Sequence, residues 1–182
     1  MASEATATVE IWTDGRISPD DALTQARAAC PLPFAPGSAA EEAALARFAR
    51  FFSDFSPAKV ASLLDDTYAE HLYFHDTLKF IGSREALREY LGHSAAAVES
   101  CVVRIDEVMG NGRGDYYLRW AMRIRFRRFA RGRDTDSIGM SHLRFDADGR
   151  VIFHQDFWNA AEGLFQYVPL LGWMIRMIQR RL

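Results

Sequence analysis

The first periodic stretch of the chain begins at Ser18-Pro19-Asp20-Asp21. A capping serine, a proline in the first turn and two acids facing the helix dipole predict a short helix through ALTQARAA. CPLPFAPGS ends it with three prolines and a glycine in nine residues. From Glu41 the apolar spacing is helical, with Leu45, Phe48, Phe51, Phe52 and Phe55 on one stripe. Ser56-Pro57 starts a second short helix, AKVASLL. Ser83 caps a third, REALREYLGHSAAAVES, that turns Leu87, Tyr90 and Leu91 inward. Between these two, HLYFHDTLKFIG has the aromatic and β-branched content of a strand or tight hairpin.

Beyond Ser100 the period changes from about 3.6 to about 2. Cys101 to Met109 reads as a strand and GNGRGD as a turn. Tyr116, Leu118, Trp120, Met122, Ile124 and Phe126 then alternate with Tyr117, Arg119, Ala121, Arg123, Arg125 and Arg127. ARGRDTD turns the chain, and SIGMSHLRF and RVIFHQDFW, joined by DADG, give two more strands. AEGLFQYVPLLGWMIRMIQRRL closes as an amphipathic helix interrupted by Pro169. Helices followed by a meander of long strands predict an α+β fold: a cone-shaped roll of N-terminal helices against a curved antiparallel sheet, with a C-terminal amphipathic helix. Residues 1–40 read as an N-terminal extension, 41–165 as the domain and 166–182 as the C-terminal helix.

Composition mainly excludes. At 182 residues and 49% hydrophobic, the chain suits one domain with a real core. A net charge of −2 offers no field for nucleic acid. The arginines between Arg113 and Arg133 alternate with apolar residues as a solvated sheet face does. Cys30 and Cys101 lack any disulfide or ligand spacing, which predicts a reducing, cytoplasmic setting. The first residues have no apolar core of a secretory signal, and no apolar run is long enough to span a membrane. His71 and His75, with Asp76 beside them, want a third firm ligand, so neither a metal nor a cofactor is expected.

Two stretches carry a family likeness. LYFHDTLKFIGSREALREYL resembles the acid, apolar, loop and glycine segment of ketosteroid isomerases and polyketide cyclases, and SHLRFDADGRVIFHQDFW resembles their last hairpin. Over roughly residues 43–165 the chain thus resembles the nuclear transport factor 2-like superfamily in its SnoaL-like branch. Its last strand, IFHQDFWNAAEGL, is also similar to that of limonene-epoxide hydrolases. The resemblance implies a cone around one pocket that takes a small apolar molecule. It puts Asp76 at the isomerase base, Phe48 at an oxyanion-hole tyrosine and Ser141 at a protonated oxyanion-hole aspartate. Phe48 donates no hydrogen bond, so steroid-type isomerisation is disfavoured. Against the hydrolases, Asp156 matches a catalytic aspartate and Arg119 a bridging arginine, but their second aspartate is Ala121.

Asp76 has two readings: a turn aspartate holding backbone amides, or a desolvated general base. His154 and Asp156 share a strand face with Trp158, which makes them a candidate proton relay in a cavity lining. The rival for Asp156 is a cap where the strand gives way to Asn159-Ala160-Ala161. The candidate catalytic residues are therefore Asp76, His154 and Asp156, and the candidate pocket residues Phe48, Phe52, Tyr73, Trp120, Ser141, Leu143 and Trp158. The function expected is acid/base catalysis (isomerisation, dehydration, cyclisation or epoxide hydrolysis), with a non-catalytic ligand-binding or dimerisation module as the alternative. A homodimer is expected through the sheet face carrying Phe153, Phe157 and the arginines. The C-terminal helix reads as a lid or dimer contact, with peripheral contact on anionic lipid as the alternative.

Overall fold

The computed structural model describes residues 17–128, 132–168 and 170–181. The polar N-terminal stretch, part of the ARGRDTD turn and Pro169 lie outside them. The element order is α1 (Pro19–Ala29), α2 (Ala39–Phe52), α3 (Pro57–Thr67), β1 (Tyr68–His75), β2 (Phe80–Ser83), α4 (Arg84–Ala96), β3 (Val98–Gly110), β4 (Tyr116–Phe126), β5 (Asp134–Phe145), β6 (Val151–Trp158), α5 (Ala160–Gly163), a 3-10 turn (Phe165–Tyr167) and α6 (Leu171–Gln179). The strands form one curved, unclosed sheet in the order β2-β1-β6-β5-β4-β3. Only β1 and β6 pair in parallel; the other neighbours are antiparallel.

α1, α3 and α4 start as the sequence predicts, with the hydroxyl of Ser18, Ser56 or Ser83 accepting a backbone N–H of the first turn; α2 starts two residues before Glu41, capped in the same way by Ser38. α4 stops at Ala96, sooner than the apolar spacing predicts, because Val98 already pairs with Phe126 and opens β3. DADG is a turn in which the Asp146 carboxylate accepts the amides of Asp148 and Arg150, and Gly149 takes φ 78°.

α2, α3 and α4 pack on the inner sheet face, where Phe48, Phe51, Leu64, Leu72, Leu87, Leu118 and Phe145 make the main core. α1 belongs to the packed body as well. Its small residues Ala22 and Ala26, one turn apart, let it lie close on the outer face over Tyr73 and Phe153. A buried polar cluster fixes this strap. The Asp115 carboxylate accepts hydrogen bonds from Arg27, Asn111, His142 and Arg144, and Arg144 also donates to the carbonyls of Cys30 and Pro31. Burial alone would raise Asp115, but those four donors outweigh it and hold its carboxyl well below the usual range.

Two expectations are corrected here. Phe153 is not an uncovered sheet residue, since α1 buries it completely. Nor is the C-terminal helix a lid on the cone: α6 packs chiefly on the 3-10 turn before it and leaves Leu171, Trp173, Met174 and Ile178 exposed.

Candidate active site

Where the helices stop short of the open half of the sheet they leave a cavity of about 290 Å³. Its wall is almost wholly apolar, from Phe48, Phe52 and Phe55 on the helix side to Trp120, Met122 and Ile124 on β4. Into it project a few polar groups, chiefly Asp76, Tyr90, Ser141, His154 and Asp156. An apolar cleft with a few convergent polar atoms is the usual form of a small-molecule site.

Strand alternation sets the centre of this site. His154 and Asp156 are two residues apart on β6 and point to the same inner face, with His154 Nε2 2.8 Å from Asp156 Oδ1. The other ring nitrogen, Nδ1, is 2.8 Å from the hydroxyl of Tyr68. Ser141, opposite Asp156 on β5, donates to the same Oδ1 at 2.5 Å, and Trp120 Nε1 donates to Ser141 Oγ at 2.9 Å. His154 is 1% exposed and Tyr68 0%, so this end of the chain is shielded from bulk solvent, while Asp156 remains partly exposed.

The directions of these bonds follow from valence. An ionised carboxylate only accepts, so Nε2 carries the proton. With the imidazole neutral, Nδ1 is a lone pair that accepts from Tyr68. Burial, reinforced by the Asp156 charge, pushes the Tyr68 phenol well above its ordinary range and keeps it a donor. Every proton in the chain is thereby committed. Oδ1 of Asp156 accepts twice, while Oδ2 has no hydrogen-bond partner among the described residues.

Asp76 is differently employed. Its Oδ1 accepts the amides of Leu78 and Lys79, both at 3.0 Å, and its Oδ2 accepts the hydroxyl of Tyr90 in a short bond. The turn it closes holds Thr77 at φ 72°, a conformation that needs such support. Trp158 Nε1 donates to the carbonyl of Asp76 and ties this turn to the end of β6. The turn reading of Asp76 thus describes its bonds, although the carboxylate also faces the cavity.

Phe48, Phe52, Trp120, Ser141 and Trp158 line the cavity. Tyr73 and Leu143 do not, which corrects the expectation for both. Tyr73 is on the outer face, stacked on Phe153 under α1, and Leu143 is sealed into the main core opposite His154. Phe48 sets its ring edge against the His154 imidazole with centroids 5.3 Å apart. Arg119 points to the outer face and pairs with Asp106, so it cannot bridge to Asp156 as a hydrolase arginine would. The helix after β6 is capped by Asn159, whose side chain accepts from Glu162 N, and this removes the capping role proposed for Asp156. Sequence reasoning missed Tyr68, because it lies in the polar break DDTYAE. Among the described residues no three His, Cys, Asp or Glu side chains converge as a metal site would require.

The SnoaL-like domain pattern matches residues 45–154, more than half of the chain. The protein belongs to the SnoaL-like family. No protein of curated function matches it at the sequence level. Among solved structures it is similar to a putative polyketide cyclase from Acidithiobacillus ferrooxidans, at 15% identity and TM-score 0.58 over 72% of this chain and 96% of that one. An LEH-like epoxide hydrolase from M. tuberculosis matches at 12% identity and TM-score 0.56 over 80% and 99%. An NTF2-like protein from Anabaena variabilis matches at 11% and 0.56 over 71% and 97%. At these identities the likeness is one of fold, and the fold hosts unrelated activities.

Proposed function

We propose that this SnoaL-like protein is a metal-free proton-transfer enzyme acting on a small, mostly apolar molecule, with Asp156 as the general base. One observation carries the reading: Asp156 lines an apolar cavity with its Oδ2 free of hydrogen-bond partners among the described residues, while Oδ1 is anchored by His154 and Ser141. A base needs a free lone pair directed at the substrate and a fixed orientation, and Asp156 has both. His154 and Tyr68 are positioning residues behind it.

The step balances within one substrate. Oδ2 takes a proton from a carbon beside an electron-withdrawing group, and the C–H electron pair enters the adjacent π system. The proton returns at another carbon for isomerisation, or a neighbouring leaving group departs for elimination. One fold neighbour is named a putative polyketide cyclase, which keeps carbon-acid chemistry among the readings the fold allows. Epoxide opening is less well supported, since Arg119 is engaged on the outer face and position 121 is an alanine.

The test is exchange of carbon-bound protons with D2O, followed by NMR, over a panel of apolar ketones and 1,3-diketones. The wild type should accelerate exchange for at least one member. Asp156→Asn should lose that acceleration by two to four orders of magnitude, the usual range for a positioned base, with melting nearly unchanged. Exchange undiminished in Asp156→Asn removes Asp156 as the base. Binding of panel members without any exchange replaces catalysis with the ligand-binding module.

A further inference from the structure

α6 is an amphipathic helix turned inside out. At about 100° per residue, Trp173, Met177, Met174, Ile178, Leu171 and Ile175 fill one continuous arc of roughly 200°. In a helix packed on its own domain that arc faces inward, yet here it faces out: Trp173 is 60% exposed, Ile178 53%, and Leu170 just before the helix 81%. The side turned to the protein is the narrow polar one. Gly172 is buried against the backbone of Gln166, where a side chain would collide with the carbonyl, and Arg176 donates to that same carbonyl at 3.2 Å.

Charge indicates what covers the apolar arc. Residues 163–182 contain Arg176, Arg180 and Arg181 and no acid, a charge of +3. The whole chain carries −2, so taking away +3 leaves −5 on the rest. No ion pair engages Arg176, Arg180 or Arg181 among the described residues, and all three are exposed. The cations follow the apolar arc toward the helix C-terminus, flanking a tryptophan suited to a headgroup boundary. No helix among the described residues is long and apolar enough to cross a membrane, and α6 has nine residues, so it can only lie along a surface.

We propose that α6 and the turn before it seat this protein on an anionic lipid surface. The apolar arc enters the headgroup boundary while Arg180 and Arg181 at the helix end meet lipid phosphates and carboxylates, and Arg176 stays on the Gln166 carbonyl. Leu164, from which the segment departs, lines the cavity, so the seated protein holds its site beside the lipid. Resting on the pocket reading above, this names the source of the substrate: an apolar molecule dissolved in the bilayer.

The experiment is co-sedimentation of the full chain with vesicles of phosphatidylcholine alone and of equimolar phosphatidylcholine and phosphatidylserine. The protein should sediment with the anionic vesicles and stay in solution with the neutral ones. Arg180→Gln with Arg181→Gln should weaken binding about thirtyfold, given the usual contribution of a basic residue near an anionic surface. Ile178→Asp should abolish sedimentation while melting and proton exchange in solution stay unchanged. Absence of binding to anionic vesicles overturns the proposal, as does binding indifferent to Ile178→Asp. So does a vesicle-indifferent larger species, seen by light scattering, that Ile178→Asp dissociates, for then a second copy covers the arc. Asp156→Asn should sediment like the wild type, so loss of exchange with intact sedimentation sinks the base assignment alone.

Discussion

Tyr68→Phe tests the hydrogen-bond chain behind Asp156 with the least disturbance of packing. The ring is kept, with its edge contact to Phe51 at 5.7 Å between centroids and its stacking on His154 at 6.1 Å. Only the hydroxyl leaves, and with it the donor 2.8 Å from His154 Nδ1. His154 is enclosed by Phe48, Phe52 and Phe74, so no water reaches the abandoned lone pair. A buried acceptor left unpaired costs about 1–3 kcal/mol. For a chain of this size that corresponds to a fall in Tm of roughly 2–4 °C per kcal/mol, hence about 4–8 °C at the middle of the range.

Thermal and urea melts of Tyr68→Phe, His154→Leu and the double variant close a cycle. The double variant should cost less than the sum of the singles, with a coupling on the order of 1 kcal/mol. Nitrogen NMR of the wild-type ring at neutral pH should find the proton on Nε2. A Tyr68→Phe penalty below about 0.5 kcal/mol, an additive cycle, or a proton on Nδ1 refutes the bond directions deduced for the site.

The strap that holds α1 should be acid-sensitive. Burial chiefly, with Arg27 and Arg144 assisting and Asp115 opposing, pushes His142 below its ordinary value of 6.5. The unfolded chain therefore binds that proton first as pH falls, so this contribution to stability is present above about pH 6.5 and declines below it. Asp115, held low in the fold, adds a further loss below about pH 4. Urea midpoints against pH should show His142→Gln escaping the upper part of the decline; wild type and variant falling in parallel would end the assignment. The outer sheet face still presents Val102, Ile138 and Phe157 among the Arg123–Asp136 and Arg125–Asp134 pairs, and we propose it as a homodimer contact. Light scattering should give a dimer that Ile138→Asp with Phe157→Asp converts to a monomer, and a wild type monomeric at all workable concentrations removes the contact.

Elements carried by local chemistry were legible in the sequence. The caps of Ser18, Ser56 and Ser83, the alternation along β4 and the pairing of His154 with Asp156 on one face each need only a few neighbouring residues. Contacts between distant segments were not legible. Tyr68 reaches His154 across 86 positions, and Arg144 reaches Cys30 across 114. No periodicity encodes such pairs. Phe153 was misjudged for the same reason: its strand announces an apolar outer face, but what covers that face is α1, whose own signal, Ala22 and Ala26, is two small residues. Tyr73 follows its outward register, whereas Leu143 shares the inward face with Ser141 and differs only in depth. Alternation gives a side and not a distance from the cavity.

The commitment of every hydroxyl and indole proton named in the site bears on which substrates fit. Removing a proton from carbon leaves negative charge that a site ordinarily meets with preorganised donors. Here the indole of Trp120 is spent on Ser141, that of Trp158 on a backbone carbonyl, the hydroxyl of Tyr90 on Asp76 and that of Tyr68 on His154. Phe48, with its ring against the imidazole, has no hydrogen bond to donate. The thiol of Cys101 lines the cavity, and burial pushes it up to about 12, so it stays protonated as a weak donor. A substrate suited to this site must therefore spread the charge within itself, as the carbanion of a 1,3-diketone does across two carbonyls. Exchange rates over the ketone panel should accordingly rise with the acidity of the carbon acid, and simple ketones should exchange least. A base that works without an oxyanion hole can be selective only in that direction, because the apolar wall contributes nothing to the charged state that it does not contribute to the neutral one.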